Sequence, residues 1–186
     1  MAESYKVFNI YKPAKGFVWT RERIIGILFL VPFFIIAFIV YILQIPDKEI
    51  PKWVGWILSL LVFIGLIGFI INFWLPSELK GKIEGKLIFE KDKITIENAI
   101  YLTKDLKYIE IIKKDYRGQM LAFNGLNGVF SQGCNNELII GLLNGTKQSC
   151  FFQIQYSQEM LQIINQLEYY TKQGLLNQKE GNKILN

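Results

Sequence analysis

Cys134 and Cys150, together with dispersed carboxylates, are the side chains with which this chain could do covalent or acid–base chemistry, because its 186 residues include no histidine. Without an imidazole there is no Ser-His-Asp or Cys-His catalysis, no His-ligated zinc or iron, and no histidine pH sensor. A cysteine nucleophile needs a base beside it or a lowered pKa, and no histidine is there to supply the base. Two cysteines also fall short of a four-cysteine metal site or a disulfide-rich scaffold. Asp92, Glu97, Asp105 and Glu110 show no paired spacing for acid–base work. Gly125-Leu126-Asn127-Gly128 lacks the strand–turn–helix setting and the lysine of a phosphate loop. Asp115-Tyr116-Arg117-Gly118 reads as a solvated polar turn, with Arg117 as an anion contact the alternative. The sequence thus predicts no catalytic, cofactor-binding or metal-binding residue, and a protein that is not an enzyme.

The elements that carry these side chains divide sharply. Residues 24–43 and 53–75 are two uncharged, strongly apolar runs. At about 1.5 Å per residue each is long enough, as a helix, to cross the ~30 Å hydrocarbon core of a bilayer. Both runs exceed the 10–14 residues of a buried core helix, and no small-residue cleavage site follows the first. The short link at 44–52 makes them a hairpin, and Pro32 is expected to kink the first helix. In the second, Gly55 and Ser59, then Gly65 and Gly68, are helix-packing candidates, within the hairpin or between copies. Asn72 is the lone amide of either run and is expected to bond locally. Neither run holds an ionisable residue, which argues against a pump or an ion path.

Charge sets the expected orientation. Residues 1–23 carry Lys6, Lys12, Lys15, Arg21 and Arg23 against Glu3 and Glu22, and Lys80, Lys82 and Lys86 follow the second run. The link offers only Lys48 and Lys52, each near an acid, so the positive-inside rule places both termini in the cytoplasm. Trp19, Tyr41, Trp53, Trp56 and Trp74 fall at the expected interfaces. Residues 1–23 read as a basic juxtamembrane arm, with Lys12, Lys15, Trp19, Arg21 and Arg23 as membrane-interface candidates that touch lipid. Much of the net charge of +5 lies in that arm, so it reports orientation rather than a nucleic-acid partner.

Residues 76–175 alternate and turn like a β-rich domain closed by a helix. Taking Lys91-Asp92 as a two-residue turn sets Glu90 opposite Lys93, Phe89 opposite Ile94, Leu87 opposite Ile96 and Lys86 opposite Glu97. Ile83, Leu87, Phe89, Ile94 and Ile96 then share one face. Asn144-Gly145 marks a second hairpin, and a two-residue turn there sets Ile139 opposite Cys150 on a face with Phe152 and Ile154. In that register the cysteines are on the order of 16 Å apart along the strand, too far for a disulfide. Cys150 reads as a small core residue and Cys134 as a loop thiol. Residues 106–113 read as a strand, 119–123 as a possible further one, and 124–136 as a Gly/Asn-rich connection. Ser157 is the expected N-cap of a helix whose stripe is Met160, Ile163, Ile164, Leu167 and Tyr170, with Gly174 as its stop. Residues 176–186 read as a loose polar tail.

Gly85-Lys86-Leu87-Ile88-Phe89 leading into Lys93-Ile94-Thr95-Ile96, the later Asn144-Gly145 hairpin and the helix from Ser157 resemble, in order and spacing, the pleckstrin-homology-like (PH-like) fold. Behind a two-helix hairpin, the chain resembles bacterial two-span membrane proteins with a cytoplasmic PH-like domain. The resemblance implies an α+β domain, mainly antiparallel β, built as an open barrel capped by a C-terminal helix. It also implies a non-catalytic interaction or lipid-proximal module in the bacterial inner membrane. The Lys91-Asp92 turn, flanked by Glu90, does not carry the basic run of phosphoinositide-binding members, so no such site is transferred. The expectation is a membrane-anchored scaffold with membrane lipid and a protein partner or second copy as partners. The partner surfaces expected are residues 124–136 and an exposed strand edge. The alternative is an accessory subunit of an oligomeric channel or transporter.

Overall fold

The computed structural model describes residues 5–122 and 126–178, together with Gly181 and Ile184. The chain divides into two compact units. One comprises Met1–Lys15, Leu79–Met120 and Ser131–Asn186, and the other Gly16–Glu78 and Leu121–Phe130. Among the described residues the fold is α+β, with a large antiparallel sheet and three α-helices, two of them apolar.

The first unit is built on a seven-stranded antiparallel sheet. Its strands are β1 (Val7–Pro13), β2 (Gly81–Phe89), β3 (Lys93–Ile96), β4 (Ala99–Leu102), β5 (Leu106–Ile112), β8 (Asn136–Leu142) and β9 (Lys147–Gln153), where β6 (Arg117–Met120) and β7 (Phe130–Gln132) pair separately. The order is β4-β3-β2-β1-β9-β8-β5. Residues 1–23 are therefore not simply an arm: Val7–Pro13 is an inner strand, paired with β2 on one side and β9 on the other. The cause is apolar alternation within the basic stretch. Phe8 and Ile10 point into the core at period two, and both are buried. Phe8 meets Phe89 and Phe152 edge to face, at 5.8 and 5.6 Å between centroids.

The β2–β3 register is the expected one, with Leu87 opposite Ile96 and Phe89 opposite Ile94. Glu90 and Lys93 form an ion pair at 3.5 Å. One expectation on β2 needs correction. Ile83 does not join the apolar face and is 43% exposed. Between Asn9–Lys86 and Tyr11–Ile83 the β1–β2 ladder shifts by one residue, so Ile10 faces both Glu84 and Gly85. Gly85, at φ +103°, supplies the bulge that turns Ile83 outward. Lys86 does stand opposite Glu97, whose N–H donates to the Lys86 carbonyl at 2.8 Å, while the Glu97 carboxylate pairs with Lys12 at 2.8 Å.

The second hairpin is also one residue off. Leu138 lies opposite Cys150, and Ile139 opposite Ser149. Gly145 N–H donates to the Leu142 carbonyl (3.0 Å) and Leu142 N–H to the Thr146 carbonyl (2.9 Å). The loop thus has three residues, Leu143-Asn144-Gly145, with Gly145 left-handed at φ +86°. Phe152 and Ile154 are buried as expected, but their neighbours on the inner face are Leu138 and Ile140.

After β9 comes a 3₁₀ turn, Glu159–Ile163, and then α3 (Ile164–Lys172). Met160, Ile163, Leu167 and Tyr170 are buried against the sheet's apolar residues, while Ile164 is only half-buried. Ser157 does not cap it. The buried Glu159 carboxylate accepts from Gln155 N–H instead and pairs with Lys6 at 2.6 Å. Gly174, at φ +72°, ends the helix as expected. The tail is not loose where it is described. Leu176 bridges to Ile109 beside β5, and the buried Ile184 offers its carbonyl to Lys113 Nζ at 2.9 Å. Ile109 N–H donates to the Leu175 carbonyl (2.7 Å), so this segment covers the β5 edge of the sheet.

The second unit contains α1 (Arg21–Ala37), continued by a π-helical turn at Phe38–Ile42, and α2 (Lys52–Phe73). The two segments of 22 residues are long and apolar enough to cross a membrane. The first helix runs through Pro32. Their outer faces are bare of partners, with Phe33, Phe34, Phe63 and Ile70 among many exposed apolar side chains.

Candidate functional site

Within the hairpin unit the four small residues separate into two pairs. A Cβ on Gly65 would lie 3.3 Å from Leu28 Cβ, and one on Gly68 would lie 3.4 Å from Ile25. Gly65 and Gly68 therefore let α2 pack closely on α1. Gly55 and Ser59 are exposed, with open space beside Gly55. They line a groove of about 420 Å³ with Pro32, Phe33, Leu58 and Phe63. Sequence spacing grouped all four, and only tertiary contact distinguishes the internal pair from the open one.

The base of the hairpin is tied by polar contacts. The Thr20 hydroxyl makes no cap bond to α1; the Glu78 carboxylate, arriving from beyond α2, accepts from Arg21 N–H at 2.5 Å. A carboxylate there favours the positive end of the helix dipole. Arg21 also donates to the Pro76 carbonyl at 2.7 Å, and its guanidinium lies 3.6 Å from Glu78. Arg23 donates to the Val18 carbonyl and stacks over the Phe17 ring at 4.2 Å. Phe17 meets Trp19 edge-on at 5.2 Å, and Trp19, Trp74 and Phe17 are exposed. Tyr41, Trp53 and Trp56 are exposed near the opposite end of the helices. Both arginines among the interface candidates are thus engaged in building the hairpin's base.

The Gly/Asn-rich connection does not stand free where it is described. Asn72 Nδ2 donates to the Leu126 carbonyl (2.5 Å), Val129 N–H to the Phe73 carbonyl (3.3 Å) and Ser77 N–H to the Phe130 carbonyl (2.7 Å). A side chain on Gly128 would collide with the Leu75 carbonyl oxygen. Asn72 therefore bonds at long sequence range, not locally. Residues 123–125, which include Asn124 of the expected partner loop, lie outside the described residues.

In the sheet unit, the turn read as solvated is built around a buried acid. Asp115 is 3% exposed, and its carboxylate accepts from Ser131 Oγ (2.5 Å), Asn135 N–H (3.1 Å), Asn135 Nδ2 (2.5 Å) and Asn136 Nδ2 (3.2 Å). Asn136 Oδ1 in turn accepts from Lys114 and Asp115 N–H, at 2.8 and 3.1 Å. These neutral donors compensate the buried charge and shape the approach to β8. Arg117 is exposed, and its Nη1 reaches Gln155 Oε1 at 3.4 Å. Nothing local in the sequence marks Asp115 for this role, because its partners lie 16 to 21 residues away.

Both thiols are free. Burial, reinforced by the negative charge of Asp115, pushes Cys134 up to about 11. Burial, with Glu97 and Glu137 adding to it, pushes Cys150 up to about 12. Cys134 lies in the loop between β7 and β8, as expected, and is buried there. A thiol raised so far is a poor nucleophile at neutral pH. Among the described residues no three His, Cys, Asp or Glu side chains group so as to hold a metal ion.

The remaining interface candidates lie at one end of the β1–β2 ladder, where Pro13 pairs with Gly81 and Ala14 N–H donates to the Lys80 carbonyl at 2.7 Å. Lys12 stands directly opposite Lys82, and Lys15, Lys80 and Lys82 are exposed. Comparison of the chain with protein-family models, with curated proteins and with solved structures finds no match.

Proposed function

We propose that this chain is a non-enzymatic, membrane-anchored interaction module, in which α1 and α2 cross the bilayer as a hairpin and hold a PH-like domain on the cytoplasmic side of a bacterial inner membrane. One observation carries the reading: the hairpin is an insertion between two strands that pair with each other. β1 precedes α1, β2 follows α2, and their ladder closes at Pro13–Gly81. A sheet can incorporate both strands only when the two flanks of the hairpin emerge on one side of a membrane. An even number of crossings between them follows, and the two apolar segments supply two. The basic residues on both flanks then favour the cytoplasm as that side.

Several features support the rest. The exposed aromatic and aliphatic side chains of α1 and α2 have no cover among the described residues, which suits lipid and would be costly in water. Seven antiparallel strands followed by one amphipathic helix over their apolar face fit the PH-like order. The buried Cys134 and the half-buried Cys150, both with raised pKa values in a chain without histidine, favour a binding module over an enzyme. The exposed β4 edge, where Ile100 lies open, is the remaining candidate for a protein contact, since the β5 edge is covered. The alternative, an accessory subunit of an oligomeric channel or transporter, draws on the open groove at Gly55 and Ser59.

Reporter fusion tests the topology. A reporter that is active only in the cytoplasm, fused after Asn186 and separately at Met1, should be active in both positions. Activity at one end and not the other would overturn the reading.

A further inference from the structure

We infer that the free edge of the sheet, β4, pairs with β4 of a second copy of this chain, joining two seven-stranded sheets through an antiparallel strand pair. The inference rests on the proposed interaction module and deepens it by naming the module's partner and the register of the contact.

The hydrogen-bond pattern fixes which groups this edge offers. Glu90 N–H donates to the Lys93 carbonyl (3.0 Å) and Glu97 N–H to the Lys86 carbonyl (2.8 Å), so Lys93, Thr95 and Glu97 turn their backbone groups towards β2. Ile94 and Ile96 therefore turn theirs towards β4, and Thr103 N–H donating to the Asp92 carbonyl (2.8 Å) keeps the same alternation. Ala99 and Tyr101 are satisfied within the sheet, whereas Ile100 and Leu102 direct N–H and C=O away from it. The Leu102 carbonyl opens the 3₁₀ turn Thr103–Asp105 and keeps one lone pair spare. Among the described residues no strand pairs with β4 on that side, while the opposite edge, β5, is covered at Leu175 and Leu176. Ala99-Ile100-Tyr101-Leu102 has no charge, proline or bulge to deter pairing, and Ile100 is 62% exposed.

The edge is its own complement. About a two-fold axis at Tyr101, Ile100 lies opposite Leu102 of the second copy, and Leu102 opposite its Ile100. Each Leu102 N–H then donates to an Ile100 carbonyl, and each Ile100 N–H to the spare lone pair of a Leu102 carbonyl. The two apolar side chains meet on one face, where they extend the cross-strand row Val7–Ile88–Thr95–Ile100. In this register Ala99 faces Thr103 and Asn98 faces Lys104, so no like charges are opposed over the paired segment. A strand of four residues makes a small, reversible contact, so the dimer depends on concentration.

The test uses the full chain in a mild detergent, its mass followed by light scattering across a dilution series. Wild type should be a dimer that dissociates on dilution. Ile100→Lys should raise the dissociation constant about tenfold or more, with an unchanged unfolding midpoint because the side chain already meets solvent. Should that variant be unstable, Ile100→Pro removes the outward N–H, takes no bond from β3, and should weaken the dimer likewise. Leu143→Lys, a similarly exposed apolar position in the β8–β9 loop, is the control and should dimerise as wild type does. Disulfide trapping reads the register in a Cys134→Ala, Cys150→Ala background. Copies carrying Ile100→Cys mixed with copies carrying Leu102→Cys should cross-link, since directly opposite Cα atoms stand about 5.5 Å apart. Either copy alone, at a diagonal of about 7–8 Å, should cross-link several-fold less. A monomeric wild type, a dimer indifferent to Ile100→Lys or Ile100→Pro, or no preference for the mixed disulfide overturns the inference. Carbonate washing of vesicles separates the two readings. Wild type that is stripped from the vesicles defeats the membrane anchor, whereas wild type that is retained but monomeric defeats only the strand pairing.

Discussion

The sheet unit and the hairpin unit solve opposite problems with the same chain. In the sheet unit the structure is made by residues far apart in sequence. β1 meets β9 with Asn9 opposite Gln153, and Asp115 gathers donors from Ser131, Asn135 and Asn136. Its apolar side chains turn inward and its buried acids are matched by donors. In the hairpin unit the backbone of each helix satisfies itself, two small residues allow contact, and most apolar side chains turn outward. The contrast teaches that one unit buries its apolar side chains within itself, whereas the other presents most of them on its outer faces. Their connection is also unequal: the sheet is discontinuous in sequence, and the hairpin interrupts it between two adjacent strands.

Truncation in the sheet core is expected to have the largest effect. Phe8→Ala removes a fully buried ring packed on Phe89 and Phe152, and should cost about 3–5 kcal/mol. Chemical denaturation of the purified protein would measure it. The helical signal of the hairpin should persist after the sheet has unfolded, and simultaneous loss of both would erase the contrast between the units. Asp115→Ala comes next. It leaves Ser131 Oγ, Asn135 N–H and Asn135 Nδ2 without this acceptor, while Asn136 Nδ2 keeps the Gly133 and Phe152 carbonyls, and should cost about 2–4 kcal/mol, read from the same denaturation midpoint.

These two positions also show what could be read from the chain and what could not. The apolar segments were visible because a bilayer-length helix is a local pattern, although the structure begins and ends them one to three residues earlier. The β2–β3 register was visible because charge and apolar pairing agree on it. β1 was hidden, although Phe8 and Ile10 already alternate, because its lysines gave the stretch a more obvious explanation. The Asn144-Gly145 turn was recognised, but its loop length depends on Gly145 adopting the left-handed region while Asn144 does not, and that choice moves every pair by one. Asp115 was hidden altogether, since a buried acid is recognised only by partners that the sequence does not place beside it.

The hairpin offers a smaller and more discriminating effect. Gly65→Leu drives a side chain into Leu28 and Phe29 and should cost about 1–3 kcal/mol in helix association, measured by unfolding in a mild detergent. Gly55→Leu meets open space and should change that stability by less than about 0.5 kcal/mol. Disassembly of an oligomer by Gly55→Leu, seen by size-exclusion chromatography, would favour the accessory-subunit alternative.

A further effect is alkaline and belongs to the sheet unit. Cys134 and Cys150 keep their protons in the folded state up to about 11 and about 12, against 9.0 for the ordinary thiol. Above pH 9 the unfolded chain releases protons that the folded chain retains, so stability should fall as pH rises through that window. Below pH 9 these thiols contribute no pH dependence. Cys150→Ala should flatten the fall between pH 9 and 11, and an unchanged slope would show that the thiol is not its source.

The central claim is that one sheet encloses the insertion point of a membrane hairpin, and thiol labelling of sealed, uniformly oriented vesicles tests it most directly. In a background carrying Cys134→Ala and Cys150→Ala, single cysteines are placed by Lys15→Cys, Lys48→Cys and Lys104→Cys. With a membrane-impermeant maleimide, positions 15 and 104 should label from the same face, and position 48, in the link between α1 and α2, only from the opposite face. Labelling of positions 15 and 104 from opposite faces, or of all three from one face, would contradict the account.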